Sequence, residues 1–431
     1  MKSILINNGK VMRPGSKTPE QAADVLIENG KIKEVGKGLK AKADKTIDAK
    51  DAVITPGLVD MHVHLREPGQ EGKETIATAT RAAAKGGVTT VLGMPNTKPA
   101  LDNQAAIRFV LNRAQKTGIV RVLIAGSLTQ DMAGEKLAEI EELKASGATM
   151  VIDDCAENQT MSLRRLAMQY CQTFDMPIMA HPEDADLKGD AVMNEGWLST
   201  QLGLRGSPAS TESLVVARTL ELIREVGSPY HFTHITTKRT VELIRTAKKE
   251  GLPVTCDVTT HHIALTDEAC ANYNTYAKVD PPLRTEEDRQ ELLKGLKDGT
   301  IDAIISDHAP HLLVEKSVPF AEAAVGISGL DTLFPIAYTE LVGGGVLTLP
   351  QLLEKLTVNP AKIMRIEKTG IVAGAPADLV VWNLTSKRKI DKNEFESKGK
   401  NTPFDGKVCQ GWAREVIYGG ALLVEQGKLI V

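Results

Sequence analysis

The sequence contains no apolar run long enough to span a membrane and no excess of basic residues. Its 52 lysines and arginines are outnumbered by 55 aspartates and glutamates, giving a formal net charge of −3 at pH 7. Without a lysine or arginine cluster the chain has no basic face for a phosphate backbone, so neither nucleic acid nor a membrane is an expected partner. The first residues reach the polar turn at Asn7-Asn8-Gly9 after too few apolar positions for a signal peptide. The expected location is therefore the cytoplasm.

A disulfide pattern is also missing. The five cysteines are odd in number and widely spaced, and no two are separated by two residues: Cys155, Cys171, Cys256, Cys270 and Cys409. Such usage is typical of reduced thiols and excludes a disulfide framework or a compact cysteine metal site.

The chain does contain the ordinary composition of a globular protein, with 42% hydrophobic and 25% charged residues. Its 431 residues exceed the roughly 250 residues of a typical eight-stranded α/β barrel. A barrel and a smaller module therefore fit within one chain.

The middle of the chain alternates apolar strand candidates with helical patterns. The eight strand candidates are residues 58–64, 89–94, 120–127, 149–154, 177–181, 231–235, 253–258 and 302–307. The helical patterns are residues 73–85, 104–116, 134–146, 162–173, 210–226, 238–250 and 286–297. Strands that alternate with helices predict a parallel sheet, and the number eight favours an α/β fold of the (β/α)8 TIM-like barrel type over an open sheet.

Both ends of the chain have a different texture of short strands and turns. Residues 2–54 contain strand candidates with a hairpin turn at Asn29-Gly30, and the same texture returns at residues 377–383 and 414–430. Neither end can bury both faces of its strands alone, so we expect one small β-sandwich built from both. The predicted domains are a β-sandwich at residues 1–54 plus 366–431 and a catalytic barrel at residues 55–365.

Two histidines separated by one residue close the first barrel strand. In a strand, residues i and i+2 share a face, so His62 and His64 point the same way. Two imidazoles on one face can supply half of a metal site, although this motif alone is weak and a structural pair is an equal alternative.

More polar side chains follow the other predicted strands, at the end where barrel enzymes place their active sites. Six of the nine histidines occupy or directly follow such an end. The polar residues at these ends are His62, His64, Asn96, Asp153, Asp154, His181, His234, Asp307, His308 and His311. Each is a weak signal, but two histidines, an acid, two further histidines and an aspartate on successive strands together indicate a metal centre.

Several histidines are interpreted as structural instead. His231 lies three residues before His234, hence on the opposite face of the strand. His308 directly follows the acid of its strand and should point away from it. His261 and His262 come after the seventh strand and are expected to line the rim of the barrel.

The acids leave a choice open. Asp153 and Asp154 are adjacent, so pleating sends them to opposite faces and only one can be a first ligand. The local residues do not decide between them. Asp302 begins its strand at the opposite end of the barrel and is expected to be a surface or capping group.

Longer motifs surround these positions along nearly the whole chain. They are Pro56-Gly57, His62-Val63-His64-Leu65-Arg66, Met94-Pro95-Asn96-Thr97, Asp153-Asp154, Ala180-His181-Pro182-Glu183, Phe232-Thr233-His234, Asp280-Pro281-Pro282-Leu283-Arg284, Ser306-Asp307-His308, Asn359-Pro360-Ala361 and Asn401-Thr402-Pro403-Phe404. With these motifs the chain resembles the class I bacterial dihydroorotases of the amidohydrolase superfamily. The resemblance implies the same barrel and the same two-ended sandwich.

The resemblance also implies roles for the matching residues. The implied metal ligands are His62, His64, Asp154, His181, His234 and Asp307, with Asp154 as the bridge between two ions. The implied substrate-binding residues are His64, Arg66, Asn96, Asp280, His311, Val325 and Gly326. Arginine suits a substrate carboxylate because its planar fork pairs with it bidentately. The expected cofactor is Zn²⁺, one or two ions per chain, although manganese or cobalt would suit the same ligands.

Three positions depart from the family pattern. Asp280 stands where the family usually has a substrate-binding asparagine, which removes an amide donor and adds negative charge. Cys155 replaces a glycine after the two acids, and Ala324-Val325 replaces the Pro-Phe of a substrate loop. Substrate binding could therefore differ, whereas no implied metal ligand is altered.

The implied activity is the reversible interconversion of N-carbamoyl-L-aspartate and L-dihydroorotate, a step of de novo pyrimidine biosynthesis. Opening a cyclic amide requires an activated water, a polarised carbonyl and a proton for the leaving nitrogen, and a metal supplies the first two. Asp307 is the expected catalytic residue, because it can carry the proton from the water to the nitrogen.

Rival interpretations are other cyclic amidohydrolases and a silent homologue. Dihydropyrimidinases, hydantoinases and allantoinases usually carry a carbamylated lysine as bridging ligand, but here the fourth strand ends without a lysine and Lys144 lies on the preceding helix. A non-catalytic partner of aspartate transcarbamoylase would be expected to have lost ligands. The resemblance further implies a small-molecule substrate, a homodimer and aspartate transcarbamoylase as a partner.

Overall fold

The structure is a computed structural model and describes residues 3–16, 21–153, 159–367 and 370–431. The chain begins with five strands: β1 (Ser3–Val11), β2 (Gln21–Glu28), β3 (Lys31–Gly36), β4 (Lys45–Asp48) and β5 (Val53–Pro56). β1, β2 and β3 form an antiparallel meander, and the predicted turn at Asn29-Gly30 joins β2 to β3. Asn29 and Gly30 both have positive φ, at 49° and 81°, as a tight hairpin turn requires.

Ten strands follow in the middle of the chain. They are β6 (Leu58–Val63), β7 (Val88–Gly93), β8 (Arg121–Ser127), β9 (Ala148–Ile152), β10 (Ile178–Ala180), β11 (Met193–Asn194), β12 (Gly206–Ser207), β13 (Tyr230–Phe232), β14 (Val254–Thr259) and β15 (Ala303–Ile305). All except the short pair β11 and β12 belong to one parallel sheet in the order β6-β7-β8-β9-β10-β13-β14-β15. The first and last strands approach each other, since the His64 N–H donates to the His308 carbonyl at 2.9 Å. The predicted eight-stranded barrel is confirmed.

Helices connect the barrel strands. They are α1 (Ile76–Lys85), α2 (Gln104–Thr117), α3 (Ile140–Ala145), α4 (Met161–Thr173), α5 (Ala185–Lys188), α6 (Trp197–Leu202), α7 (Ser210–Val226), α8 (Lys238–Lys249), α9 (Thr260–Ala264), α10 (Glu286–Asp298), α11 (Leu313–Lys316), α12 (Leu333–Ala337), α13 (Leu349–Leu356) and α14 (Val358–Ile363). Among the described residues, no helix is both long and apolar enough to cross a membrane.

The remaining strands lie near the end of the chain. They are β16 (Leu379–Asn383), β17 (Arg388–Lys389), β18 (Val408–Cys409), β19 (Trp412–Tyr418), β20 (Ala421–Glu425) and β21 (Lys428–Leu429). β16 pairs with β5 antiparallel, which joins both ends of the chain into one nine-stranded sheet. Its apolar core mixes Ile4, Ile6 and Val25 from the first end with Val381 and Ile417 from the second. The expectation that the two ends share one β-rich unit is therefore confirmed.

The barrel has two apolar layers. Side chains that point into the barrel form one cluster: Val59, Met61, Leu92, Met94, Ala125, Met150, Ile152, Met179, Ala303, Ile305 and Met364. Alternate side chains such as Val91, Val151 and Phe232 pack outward in the larger cluster with the helices. This alternation along buried strands closes the barrel centre with side chains, which leaves the strand ends as the place for a site.

One predicted helix begins later than expected. The pattern at residues 134–146 predicts a helix throughout, but α3 covers only Ile140–Ala145. Gly134 has a φ of 74°, and Leu137 pairs with Thr129 in an isolated antiparallel bridge. Backbone hydrogen bonds from Gln130 to Lys136 and from Ala138 to Leu128 hold the segment as a loop. These pairings replace the helical hydrogen bonds that the apolar periodicity suggested.

Candidate metal centre and active site

The two histidines of the first barrel strand meet the aspartate that follows the last one. His62 and His64 stand at the carboxyl end of β6, with ring centroids 5.4 Å apart. The Asp307 Oδ1 atom lies 3.3 Å from His64 Nε2 and 3.7 Å from His62 Nε2. All three side chains are buried, and their potential ligand atoms lie within 4.8 Å of one another. Because β6 and β15 are neighbours, residues 243 positions apart in sequence form one cluster.

Two further imidazoles extend this cluster. The His234 ring centroid lies 5.0 Å from that of His62 and 4.6 Å from that of His181. His181 follows β10 and His234 follows β13, so both come from the carboxyl ends of adjacent strands. The structure thus brings together four of the predicted ligand histidines and Asp307.

Hydrogen bonds fix which nitrogen each histidine presents. His62 Nδ1 lies 3.1 Å from the Thr233 hydroxyl, which in turn lies 3.2 Å from both oxygens of Asp257. The hydroxyl proton goes to the carboxylate, so the His62 Nδ1–H donates to Thr233. His64 Nδ1 likewise donates to Asn96 Oδ1 at 2.9 Å. In their neutral forms both rings therefore present an unprotonated Nε2 to Asp307.

This arrangement fits a cation. Two imidazole lone pairs and a carboxylate oxygen would face each other at 3.3 and 3.7 Å without a proton between them. All three side chains could be ligands of one divalent ion placed among these atoms, and imidazole with carboxylate is a usual donor set for such ions.

Three of the site residues have strained backbones. Arg66, His234 and Asp307 adopt φ values of 59°, 39° and 46°, in the left-handed region that non-glycine residues rarely adopt. Such conformations cost about 1–3 kcal/mol each and persist where the surrounding structure imposes them. Because the three residues lie at the carboxyl ends of barrel strands, these backbone conformations direct their side chains towards the same site.

The structure at the end of the fourth barrel strand, β9, bears on the choice between Asp153 and Asp154 as a metal ligand. Asp153 is buried and accepts hydrogen bonds from the Thr129 backbone at 2.9 Å, the Thr129 hydroxyl at 2.6 Å, Ser127 at 3.1 Å and Gln159 at 2.8 Å. Its carboxylate thus ties the loop after β8 to the end of β9 and is not directed at the histidines. Asp154 lies outside the described residues, as does Cys155.

A cavity of about 190 Å³ opens above the cluster. Its lining contains every predicted substrate-binding residue and four of the six predicted metal ligands, His64 being in both sets: His64, Arg66, Asn96, His181, His234, Asp280, Asp307, Ala309, His311, Val325 and Gly326. His62 lies beneath it and is fully buried. A larger cavity of about 460 Å³ includes Pro177, Pro229 and Pro253, which precede barrel strands at the opposite end. It lies away from the cluster.

The positive charge of the smaller cavity comes from Arg66. Its Nη2 lies 3.2 Å from His311 Nε2, and its Nε donates to the Pro310 carbonyl at 3.3 Å. Burial, with the nearby charges of Arg66 and Lys73, lowers the pKa of His311 to about 3. His311 is therefore neutral near pH 7 and offers a hydrogen bond, whereas Arg66 offers the charge.

A loop at residues 324–326 forms one wall of the cavity. The Lys316 ammonium donates to the carbonyl oxygens of Ala324 at 2.7 Å and Gly326 at 3.2 Å. Asn401 donates to the Gly326 carbonyl at 2.9 Å and accepts from the His311 N–H at 3.0 Å. Gly326 has a φ of 130°, and a Cβ there would lie 2.5 Å from the Cβ of Ala309. Only glycine fits this turn.

A half-buried lysine lies between two acids at the edge of the cavity. Lys188 Nζ lies 2.5 and 2.6 Å from the Asp280 oxygens and 2.5 Å from Glu183 Oε2. Glu183 also contacts His181 Nε2 at 3.3 Å. Asp280 was predicted to line the site, whereas Lys188, Glu183, Thr233 and Lys316 were given no role. The carboxylate excess around the His181 motif was a usable signal for a nearby cation such as Lys188. Glu183 and Thr233 lie within the quoted motifs, but nothing in those motifs indicates their contacts, and Lys316 lies outside them.

The histidines interpreted as structural lie apart from the cluster or are bonded within the fold. His231 contacts Thr255 at 2.8 Å and Asp257 at 2.9 Å. His308 contacts Glu74 through Nε2 at 3.3 Å and accepts from the Gly329 N–H through Nδ1 at 3.1 Å. Each of these two rings has both nitrogens engaged by the fold.

His261 and His262 are buried at the end of β14. His262 bonds Thr259 at 2.7 Å and the Pro281 carbonyl at 3.1 Å. Neither ring nitrogen of His261 has a hydrogen-bond partner among the described residues. Burial lowers the pKa of His261 to about 4, against a smaller opposite effect of Asp307. Both imidazoles are thus neutral side chains of the interior rather than of an open rim.

Comparison with known proteins points to one family. The sequence model of the "Dihydro-orotase-like" family matches residues 51–240. A dihydroorotase of Acetivibrio thermocellus is 43% identical over 427 residues, covering 99% of this chain and 100% of the relative. A dihydroorotase of Geobacter sulfurreducens is 45% identical over 426 residues, with 99% and 100% coverage.

Solved structures of similar fold include a hydantoinase and a dihydropyrimidinase. An L-hydantoinase (dihydropyrimidinase) from Arthrobacter aurescens superposes with a TM-score of 0.89 at 25% identity, covering 100% of this chain and 98% of the other. A dihydropyrimidinase from Brevibacillus agri gives a TM-score of 0.88 at 21% identity, with 99% and 96% coverage, and supports the fold alone.

Proposed function

The chain belongs to the dihydroorotase family, and we propose that it interconverts N-carbamoyl-L-aspartate and L-dihydroorotate with a divalent metal at its histidine cluster. The observation that carries this proposal is the pair of unprotonated Nε2 atoms of His62 and His64 against the Asp307 carboxylate, at 3.7 and 3.3 Å. Dihydroorotases are metal-dependent amidohydrolases, and this donor set suits such an ion.

We assign one metal to His62, His64 and Asp307 and a second to His181 and His234, with Asp154 as the bridge. One observation supports Asp154 over its neighbour. Asp153 is engaged by four hydrogen bonds from the fold. Zinc is the proposed metal, and manganese or cobalt would be accepted by the same ligands.

A metal bound there would activate water and polarise the carbonyl of the cyclic amide. Asp307 accepts a proton from the attacking water and transfers it to the ring nitrogen as the carbon–nitrogen bond breaks. Because the product is a carboxylate, hydrolysis also releases one proton to solvent. Ring closure is the reverse: Asp307 takes the proton from the nitrogen and passes it to the departing oxygen, which takes a second proton from solvent and leaves as water. Arg66 binds the substrate carboxylate, while Asn96 and His311 add neutral hydrogen bonds beside it.

The hydantoinase alternative is less well supported. Relatives at 43–45% identity over the full chain are dihydroorotases, whereas the hydantoinase structure is 25% identical. No lysine occurs between Lys144 and Lys188 in the sequence, so the end of the fourth strand cannot supply a carbamylated lysine. Lys144 itself bonds the Phe174 carbonyl at 2.5 Å.

The ligand set also argues against a non-catalytic partner of aspartate transcarbamoylase. We propose a cytoplasmic enzyme, with a homodimer and a transcarbamoylase complex as further expectations.

An assay from both directions tests this function. Metal-replete protein should bring N-carbamoyl-L-aspartate and L-dihydroorotate to one equilibrium mixture. Closure converts a carboxylate into an amide and takes up a proton, so the mixture should contain more dihydroorotate at lower pH. Closure and hydrolysis rates should also differ in pH profile. Dihydrouracil lacks the carboxylate and should react at least about a hundredfold more slowly. Faster turnover of dihydrouracil or hydantoin, or identical pH profiles, would contradict the proposal.

A further inference from the structure

The edge of the substrate cavity carries one cation between two acids. Lys188 is the last residue of α5, and its ammonium contacts both Asp280 oxygens at 2.5 and 2.6 Å and Glu183 at 2.5 Å. The Lys188 and Asp280 side chains are 17% and 25% exposed, and Glu183 is 2% exposed. Although burial would lower the pKa of Lys188, the two carboxylates raise it, so the ammonium form is retained.

Glu183 and Asp280, together with His181, have the geometry of a further metal site. His181, Glu183 and Asp280 place potential ligand atoms within 4.8 Å of one another. The Lys188 ammonium is already within 2.6 Å of both carboxylates and takes the place that a metal ion would occupy. A tethered cation therefore lies between the two carboxylates and offsets one of their two negative charges.

Asp280 lines the cavity that also contains Arg66 and His311. An uncompensated carboxylate in that wall would repel an anionic ligand, because charges a few ångströms apart interact strongly when they are partly buried. The bidentate contact with Lys188 weakens that repulsion while Asp280 remains a polar part of the wall.

We propose that Lys188 is a specificity-determining residue, whose charge cancels that of Asp280 and so permits a carboxylate to line a pocket for an anionic substrate. This inference rests on the proposed function, since it requires that the substrate carry a carboxylate. A purely structural role, in which Lys188 only ties α5 to the segment at Asp280, would affect charged and uncharged ligands alike.

Four proteins separate these roles: the wild-type enzyme, Lys188→Gln, Asp280→Asn and the double variant. For each, KM for dihydroorotate and the inhibition constant of uncharged dihydrouracil are measured at equal metal content. Lys188→Gln should raise KM for dihydroorotate about tenfold, with dihydrouracil within about twofold of wild type. The double variant should restore KM to within about threefold, because the neutral amide no longer needs a partner.

Asp280→Asn alone provides a test that does not depend on the folding of the Lys188 variant. Among the described residues it leaves Glu183 as the one carboxylate bonded to Lys188, so the pocket wall loses one negative charge and KM for dihydroorotate should fall about threefold. Lys238→Gln is the matched control, since Lys238 pairs with Glu287 at 2.8 Å on the surface. Equal weakening of both ligands in Lys188→Gln, no rescue in the double variant, or an unchanged or raised KM in Asp280→Asn would overturn the proposal. An inactive wild-type enzyme would instead contradict the proposed function.

Discussion

Three imidazoles of the candidate metal centre are each held by a hydrogen bond on one ring nitrogen. His62 is held by Thr233, His64 by Asn96 and His181 by Glu183, at 3.1, 2.9 and 3.3 Å. Such contacts orient the rings and select the tautomer that leaves the other nitrogen for a metal. At the scale of single residues, the chemistry therefore depends on atoms that would not themselves touch a metal.

Thr233→Val tests this dependence. The substitution removes the hydroxyl that links His62 to Asp257 while keeping the shape of the side chain, so metal affinity should fall about 10–100-fold. Competition with a metal-binding indicator measures this without relying on turnover. Thr246→Val, on the exposed side of α8, is the matched control. Unchanged metal affinity in Thr233→Val would show that the hydroxyl does not set the His62 tautomer.

Asp307→Asn tests the assigned proton carrier. The amide can still ligate through its oxygen but cannot accept the proton, so kcat should fall by about 10²–10⁴-fold in metal-replete protein. Asp302→Asn is the control, because Asp302 lies at the other end of the same barrel strand and bonds Lys248 at 2.6 Å. Near-normal turnover by Asp307→Asn, with its metal content verified, would mean that another group carries the proton.

The clustering of the proposed ligand residues could be predicted from the sequence because its signal is positional. His62, His64, His181, His234 and Asp307 lie at or just after the ends of apolar strands, and parallel strands end on one side of a barrel. Lys188 was not predicted because its partner Asp280 lies 92 residues away and the contact depends on how a loop after one strand reaches another.

At the scale of elements, loops rather than strands shape the substrate cavity. The loop at residues 324–326 is held from outside by Lys316 and Asn401, which bond its carbonyl groups. Every residue has a backbone carbonyl, so the sequence does not show which carbonyls a side chain will bond. Val325 and Gly326 could therefore be predicted only through family resemblance. The start of α3 was mispredicted for a similar reason, because backbone pairing with Thr129 holds the preceding segment.

Lys316→Met should loosen this loop. Without the ammonium, the Ala324 and Gly326 carbonyls each lose one hydrogen bond, and Gly326 keeps the one from Asn401. Substrate binding must then order a looser loop, and this cost should raise KM about tenfold with a smaller effect on kcat. Lys294→Met is the control, since Lys294 is exposed on α10. A fall in kcat at constant KM would indicate instead that Lys316 acts on the chemical step.

The buried His261 on the short helix α9 should make the free energy of unfolding depend on pH. Burial holds the pKa of His261 near 4, below its ordinary value of 6.5, so the unfolded chain binds more protons between these values. Stability should therefore fall as pH decreases from 6.5 towards 4. Between pH 7.5 and 5, metal-free wild type should lose about 2 kcal/mol more than His261→Phe, measured by urea unfolding. Parallel losses in the two proteins would contradict this assignment.

At the scale of the whole molecule, the two ends of the chain meet beside a barrel that the middle forms. The pairing of β5 with β16 joins residues more than 300 positions apart, yet the matching strand texture at both ends made this predictable. The number of barrel strands followed from counting strand and helix alternations. The domain boundaries at residues 54/55 and 365/366 stay predictions, because one sheet strand, β5, lies directly against the first barrel strand.

The most direct test of the central claim is the metal dependence of turnover. Purified protein should contain one or two divalent ions per chain by elemental analysis. Removing them with a chelator should abolish the interconversion of N-carbamoyl-L-aspartate and L-dihydroorotate, and adding zinc, manganese or cobalt should restore it. Full turnover by protein verified to be metal-free would contradict the account.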